Sequence, residues 1–264
     1  MERREFLKTS LASSVMAASG GAVMAESPVS GAREFYLLRS YSFTMGPQTQ
    51  VAERYFGEAL IPALGRMGIG PVGAFRLDIG PQTPTFYLLI PGASVEMLAM
   101  LELHLAKDAV FMKAAEPFWS AAATSPAFGR MESSLLVAFE GWPKLTPLAG
   151  AAKDKRIFQL RTYESPSDAA HVRKVEMFNN GEFAIFTKAG AHAVFYADTL
   201  VGSRMPSLTY MLSFADMAAL NAAWAKFVAD PAWTKLKSDP RYSYEEIVSN
   251  ITNLVLSPLA CSQI

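Results

Sequence analysis

A single cysteine, no run of charge of either sign and no apolar stretch of membrane length mark this chain before anything it contains. Cys261 alone leaves no partner for an intrachain disulfide and no set for a thiolate metal site; it reads as an inert thiol near the chain's end. Lys and Arg number 24 and Asp and Glu 24, so the net charge is zero. A surface that tracks phosphates needs a basic excess, which removes nucleic acid from the expected partners. Nothing past the leader approaches the roughly 18 uninterrupted apolar residues of a membrane span, so no span is expected in the mature chain. The three histidines, His104, His171 and His192, lack metal-ligand spacing, and no H-x-x-E or C-x-x-C set occurs, so no metal site is expected. A G-x-S-x-G elbow is missing too. The glycines of GRMGIGPVG at 65–73 lie after a helix and before a strand, the reverse of what phosphate capture requires.

What is present begins with a leader. RREFLK at 3–8 runs into the small, apolar TSLASSVMAASGGAVMA, with a cleavage point after Ala25 and Val23 at the minus-three position. Arg3 and Arg4, followed by Phe6, Leu7 and Lys8, resemble the twin-arginine export signal. That resemblance implies a chain that folds before crossing and works in the periplasm or another extracytoplasmic space. Removing residues 1–25 takes away three bases and two acids, leaving 21 and 22, and residues 26–34 then lead into the fold.

FYLLRSY at 35–41 and IFQLRTY at 157–163 place Leu, Arg and Tyr in the same register. Sliding the chain by 122 residues extends the match without a gap, pairing Gly68 with Gly190, Pro84 with Pro206 and Asp108 with Asp230. The breakers persist, with apolar residues between them. In the first copy the pattern predicts a strand at 35–43, a helix at 48–66 stopped by Gly68, and strands at 72–79 and 84–90 joined by a GPQT hairpin. A helix capped by Ser94 then runs over 95–106, and a last strand lies near 131–140. The second copy repeats the order: strand 157–164, helix 168–188 stopped by Gly190, strands 192–201 and 206–214, a helix from 217 capped by Asp216, and a strand at 247–256. GWPKLTPLAGAAKDKR at 141–156 has no apolar period and reads as the linker between units 35–140 and 157–264.

This is an α+β chain of two βαββαβ units, each the ferredoxin-like arrangement with helices on one face of an antiparallel sheet. The bare faces must be covered, and two units cover one another by packing sheet face to sheet face. The doubled strand motif, the helix ending at Gly, the following PVGAF (71–75) or HAVFY (192–196), and ADPAW at 229–233 resemble the NIPSNAP family of the dimeric alpha-beta barrel superfamily, here in two tandem copies. The first copy departs from the pattern with KDAVF where the second has ADPAW. The resemblance implies the fold just described. Its superfamily includes small monooxygenases, haem-using enzymes and modules that bind or assemble.

Strand alternation puts Arg39 and Tyr41 on one face, and Arg161 and Tyr163 on the equivalent face. Leu38 and Leu160, on the opposite face, are assigned to the helices, so the four polar residues are expected to face the partner sheet and share one chamber. Two roles stand open: to orient a small ligand through an acidic or enolic oxygen, or to pair each Arg with an acid at a strand end, Asp78 or Asp198. His192 shares its face with Tyr196 and Asp198 by the same alternation, as a proton-transfer cluster or as an ordinary strand-end histidine. His104 and His171 are expected in solvent, and Trp224, Phe227 and Trp233 in the core. Asp230 before Pro231 reads as a helix cap, with Asp108 matching it.

Three functions follow. The first is a small-ligand-binding or assembly module, with a homo-oligomer among its expected states. The second is a cofactor-independent, monooxygenase-like oxidoreductase acting in the cavity between the sheets. The third is a haem protein using one His as axial ligand. No cofactor is otherwise predicted, and the sequence does not decide whether the chain is an enzyme.

Overall fold

Both faces of β1 (Phe35–Ser42) are covered: Leu37 and Tyr41 lie in a cluster with the helices, Tyr36 and Leu38 in one formed with other strands. That double cover follows from how the sheet closes. The structure, a computed structural model, describes residues 32–264 except 45, 149 and 151–154; the leader expected at 1–25 lies outside them. The described residues fall in one compact unit.

After β1 come α1 (Gly46–Arg54), a π-helical turn (Tyr55–Leu60), α2 (Ile61–Arg66), β2 (Gly73–Ile79), β3 (Thr85–Gly92), α3 (Val95–Ala99), α4 (Leu101–Leu105), α5 (Ala109–Trp119) and β4 (Arg130–Ala138). Then follow β5 (Ile157–Glu164), α6 (Asp168–Met177), a second π-helical turn (Phe178–Glu182), α7 (Phe183–Ala189), β6 (His192–Val201), β7 (Ser207–Phe214), α8 (Met217–Ala229), α9 (Pro231–Lys237), α10 (Tyr244–Ile247) and β8 (Asn250–Pro258). Gly68 and Gly190 end their helices at φ 73° and 92°, left-handed conformations that cost glycine little. The caps fall where expected: Ser94 accepts from Met97 N, Asp216 from Ala219 N, Asp108 from Phe111 N and Asp230 from Ala232 N. Helix α5 was not expected, although Phe111, Ala115 and Phe118 carry its buried stripe at helical spacing. The last strand starts at Asn250 rather than 247 because α10 takes up the preceding residues.

The eight strands close into one antiparallel barrel in the order β1-β3-β2-β8-β5-β7-β6-β4. The two expected face-to-face sheets are therefore one continuous sheet, joined by β2 with β8 and β4 with β6. Edge strands carry unpaired N–H and C=O groups, and joining the edges satisfies them. Gln263 and Ser262 prolong the first seam: Val72 N donates to Gln263 Oε1 at 2.7 Å and Ala74 N to Ser262 Oγ at 3.0 Å.

Closure decides which way the strands' side chains point. The lumen is packed with Tyr36, Phe75, Phe158, Leu160, Phe195, Met211 and Leu254, with Leu38 against them. Arg39 and Tyr41, and with them Arg161 and Tyr163, face the helices, the reverse of the expectation. A guanidinium in the dry middle of the lumen would have no partner, whereas beneath the helices it reaches a helix-borne group or the solvent edge.

Candidate functional site

The four residues expected to share a chamber lie in two separate places. In the first half, Arg39 is buried and paired with a carboxylate. It forms an ion pair with Glu102 on α4 at 2.6 Å, and donates to Ser133 Oγ at 3.0 Å and to Tyr41 Oη at 3.5 Å. Tyr41 packs against Phe56, Phe118 and Phe128, and the stacked rings of Tyr55 and Phe118, 4.0 Å apart, fill the space beside it. Asp78 and Asp198, the acids expected to pair with these arginines, go elsewhere: Asp78 to Arg76, Asp198 to His171.

The second half is built differently at the same place. A pocket of about 460 Å³ opens between α6, α8, α9 and α10, with Arg161, Tyr163, Lys174, Glu182, Trp224, Phe227, Trp233 and Tyr244 among its walls. Arg161 donates to Tyr163 Oη at 3.0 Å and lies 4.4 Å from the Trp224 ring centre, and among the described residues no carboxylate forms an ion pair with it. Its Nε is buried without a hydrogen-bond partner. Tyr210 donates to Tyr163 Oη at 3.1 Å. Burial pushes both phenols up, so they stay protonated and act as hydrogen-bond donors and acceptors.

Beside them, Lys174 and Glu182 form an ion pair with side chains 1% and 2% exposed. A regular helix would separate positions 174 and 182 by about 12 Å of rise, too far for an ion pair. The π-helical turn at Phe178–Glu182 breaks the helix between α6 and α7 and returns Glu182 to Lys174. Burial pulls Lys174 down and pushes Glu182 up, against the attraction between them. Sequence reasoning passed over this pair. The signal lay in the repeat: 122 residues earlier stand Ala52 and Leu60, both wholly buried, and the position of Glu102 becomes Trp224. Trp224 and Trp233, expected only as core, are pocket walls as well.

The His192 cluster does not form. A bulge between Ala193 and Phe195 breaks the alternation, so Val194 and Phe195 both join the lumen while Tyr196 packs under the helices. Counting back across it puts His192 on the lumen side, where Nε2 donates to the Thr146 carbonyl at 2.7 Å. Tyr196 is buried among Phe178, Phe183 and Tyr210, its hydroxyl without a partner. His171 is buried rather than in solvent, with Nε2 at 2.6 Å from Asp198 Oδ1; His104 is exposed.

A second cavity of about 400 Å³ lies at one mouth of the lumen, lined by Ser40, Thr162, Thr199, Ser207, Thr209, Thr252 and Arg204. None of the six predicted site residues lines it, and the middle of the lumen is filled by apolar side chains, so the cavity expected between the sheets is not theirs. No histidine lines either cavity, and neither offers a haem an axial imidazole. Among the described residues no helix is long and apolar enough to cross a membrane.

Residues 158–263 match the NIPSNAP family model. Among the curated proteins none matches the chain by sequence. Two solved structures, both of proposed monooxygenases, resemble it over nearly its whole length. The one from Lactobacillus acidophilus is 10% identical with a TM-score of 0.57, over 86% of this chain and 94% of that one. The one from Fusobacterium nucleatum is 9% identical with a TM-score of 0.53, over 87% and 94%. A NIPSNAP-like domain protein of Burkholderia xenovorans is 18% identical with a TM-score of 0.34, over 38% of this chain and 83% of its own. At these identities the likeness of the two monooxygenases is one of fold alone.

Proposed function

Given a chain whose residues 158–263 carry the NIPSNAP pattern, we propose that it is a small-ligand-binding module whose site is the helix-side pocket of the second half. The ligand is flat and bears an acidic or enolic oxygen. Arg161 carries the reading. It is a half-buried guanidinium without a carboxylate partner, stacked on Trp224 in a cavity of about 460 Å³, where Arg39 has Glu102 and no such space. Pockets of roughly 300–1,000 Å³ hold ligands of one or two rings, and a planar guanidinium suits a carboxylate or enolate. The inner wall sets Arg161 and Lys174 against Glu182, while the rim adds Lys237, Asp239 and Glu245. The finer architecture belongs to the same proposal: two ferredoxin-like copies, 35–140 and 157–264, of which the first keeps a filled site and the second an open one. The leader adds export by a twin-arginine route.

The test is titration with benzoate, salicylate and phenylglyoxylate, followed by tryptophan fluorescence and calorimetry. Arg161→Gln should weaken binding about 10- to 100-fold, the worth of one charge-assisted contact, and Arg39→Gln should leave it unchanged. Equal losses in both variants, or no binding of any aromatic anion, would sink the proposal. A second reading, the cofactor-independent monooxygenase-like enzyme, is favoured by the Lys174–Glu182 pair as a proton-transfer group in the same pocket. Oxygen uptake with phenolic substrates tests it.

A further inference from the structure

Resting on that pocket reading, we propose that Lys174 is an amine nucleophile, and that the ligand class is an aromatic 2-oxo acid whose carbonyl condenses with its Nζ. The pair it forms with Glu182 is not needed to fill space. At the positions 122 residues earlier Ala52 and Leu60 pack wholly buried without charge, and apolar substitutes for buried ion pairs are often as stable or more so. In the second half the same layer instead holds an amine, a carboxylate and an open pocket.

The surroundings of Nζ suit a nucleophile. Apart from Glu182 it meets Met177 Sδ at 3.5 Å and the rings of Phe178 and Tyr163, 4.6 and 5.3 Å from its centre of charge. Burial favours the neutral amine and Arg161 adds a like charge, both known means of keeping a lysine neutral, against the pull of Glu182 and of the two ring faces. Glu182 takes the ammonium proton, leaving a free lone pair. The amine adds to the carbonyl carbon, forming the C–N bond while the C=O pair moves to oxygen. Proton transfers through Glu182 bring that oxygen two hydrogens, and it leaves as water, giving the imine. Amine plus carbonyl thus become imine plus water, with no oxidant or reductant. Arg161 holds the ligand's carboxylate, and Trp224 and Trp233 flank its ring.

Incubation of the full chain with phenylglyoxylate and cyanoborohydride, with peptide mapping by mass spectrometry, tests this. The expected result is one reduced adduct at Lys174, formed at least tenfold faster than at the exposed Lys188, Lys226 and Lys235 and slowed by benzoate. Because Lys174→Met alone strands Glu182, the control is the paired variant K174M/E182L, which should fold and lose the adduct. Labelling spread evenly over the lysines, or none at Lys174, overturns the amine role. Benzoate binding separates the two ideas. If it persists and depends on Arg161, the pocket reading stands without the amine; if it is absent, both fall.

Discussion

At the scale of single residues, the buried pair dominates. Removing one partner leaves an uncompensated charge in a dry site, so Glu182→Leu alone should cost about 3–5 kcal/mol in urea unfolding, while K174M/E182L should lie near the wild type. The pair also has a signature in pH. Burial raises Glu182 above its ordinary 4.5 and lowers Lys174 below its ordinary 10.5. Just above pH 4.5 the native state keeps a proton that the unfolded chain has released, so raising the pH there removes stability. Just below pH 10.5 the unfolded chain holds the extra proton, so raising the pH there restores it. The stability of the wild type relative to K174M/E182L should therefore dip between these windows, and a flat difference across pH would show that the pair's charges are not perturbed.

At the scale of elements, the stretch from α6 to α7 builds the site. Ser167 opens α6 by accepting from Ala170 N at 3.2 Å, and the π-helical turn then re-aims the chain at Glu182. Ser167→Ala should cost about 1 kcal/mol and loosen Lys174 on the same helix, read by hydrogen exchange at residues 168–177. At the end of α8, Asp230 caps α9 and pairs with Lys188, the side-chain bond to that lysine being the main cause of its lowered carboxylate pKa. A depressed carboxylate adds stability above its unfolded value of 3.8 that is lost as pH falls through the folded value. Asp230→Asn should therefore flatten the acid limb of the stability profile. Caps and stops of this kind were legible because they depend on residues close in sequence. The bulge in β6 was not, since it arises from register against β7, and with it went the expected grouping of His192 with Tyr196.

At the scale of the whole molecule, stability rests on closing the barrel around a dry lumen. Tyr36 and Phe195, with ring centres 5.2 Å apart, join the first half to the second across it, as do Phe75 and Phe158 at 4.8 Å. Phe195→Ala should cost about 3–5 kcal/mol, whereas Ser40→Ala at the hydroxyl-lined mouth should cost far less. Residues 155–264 expressed alone would bare Phe158, Leu160, Phe195 and Met211 and leave the partners of β4 and β2 unpaired. That fragment should run as a dimer or larger species in size-exclusion chromatography, and a well-behaved monomer would show that the lumen face needs no cover.

The order of the strands, the helix stops at Gly68 and Gly190 and the pairing of Arg with Tyr on one strand face were written in local spacing, because alternation and capping are properties of short segments. Which face turns inward was not. In a closed barrel wrapped by helices both faces of a strand are covered, so apolar content no longer marks the inside, and only the seams between β2 and β8 and between β4 and β6 assign Leu38 to the lumen and Arg39 to the helices. The meeting of Lys174 with Glu182 likewise belongs to tertiary structure, since it depends on a break in the helix that lets residues eight positions apart touch.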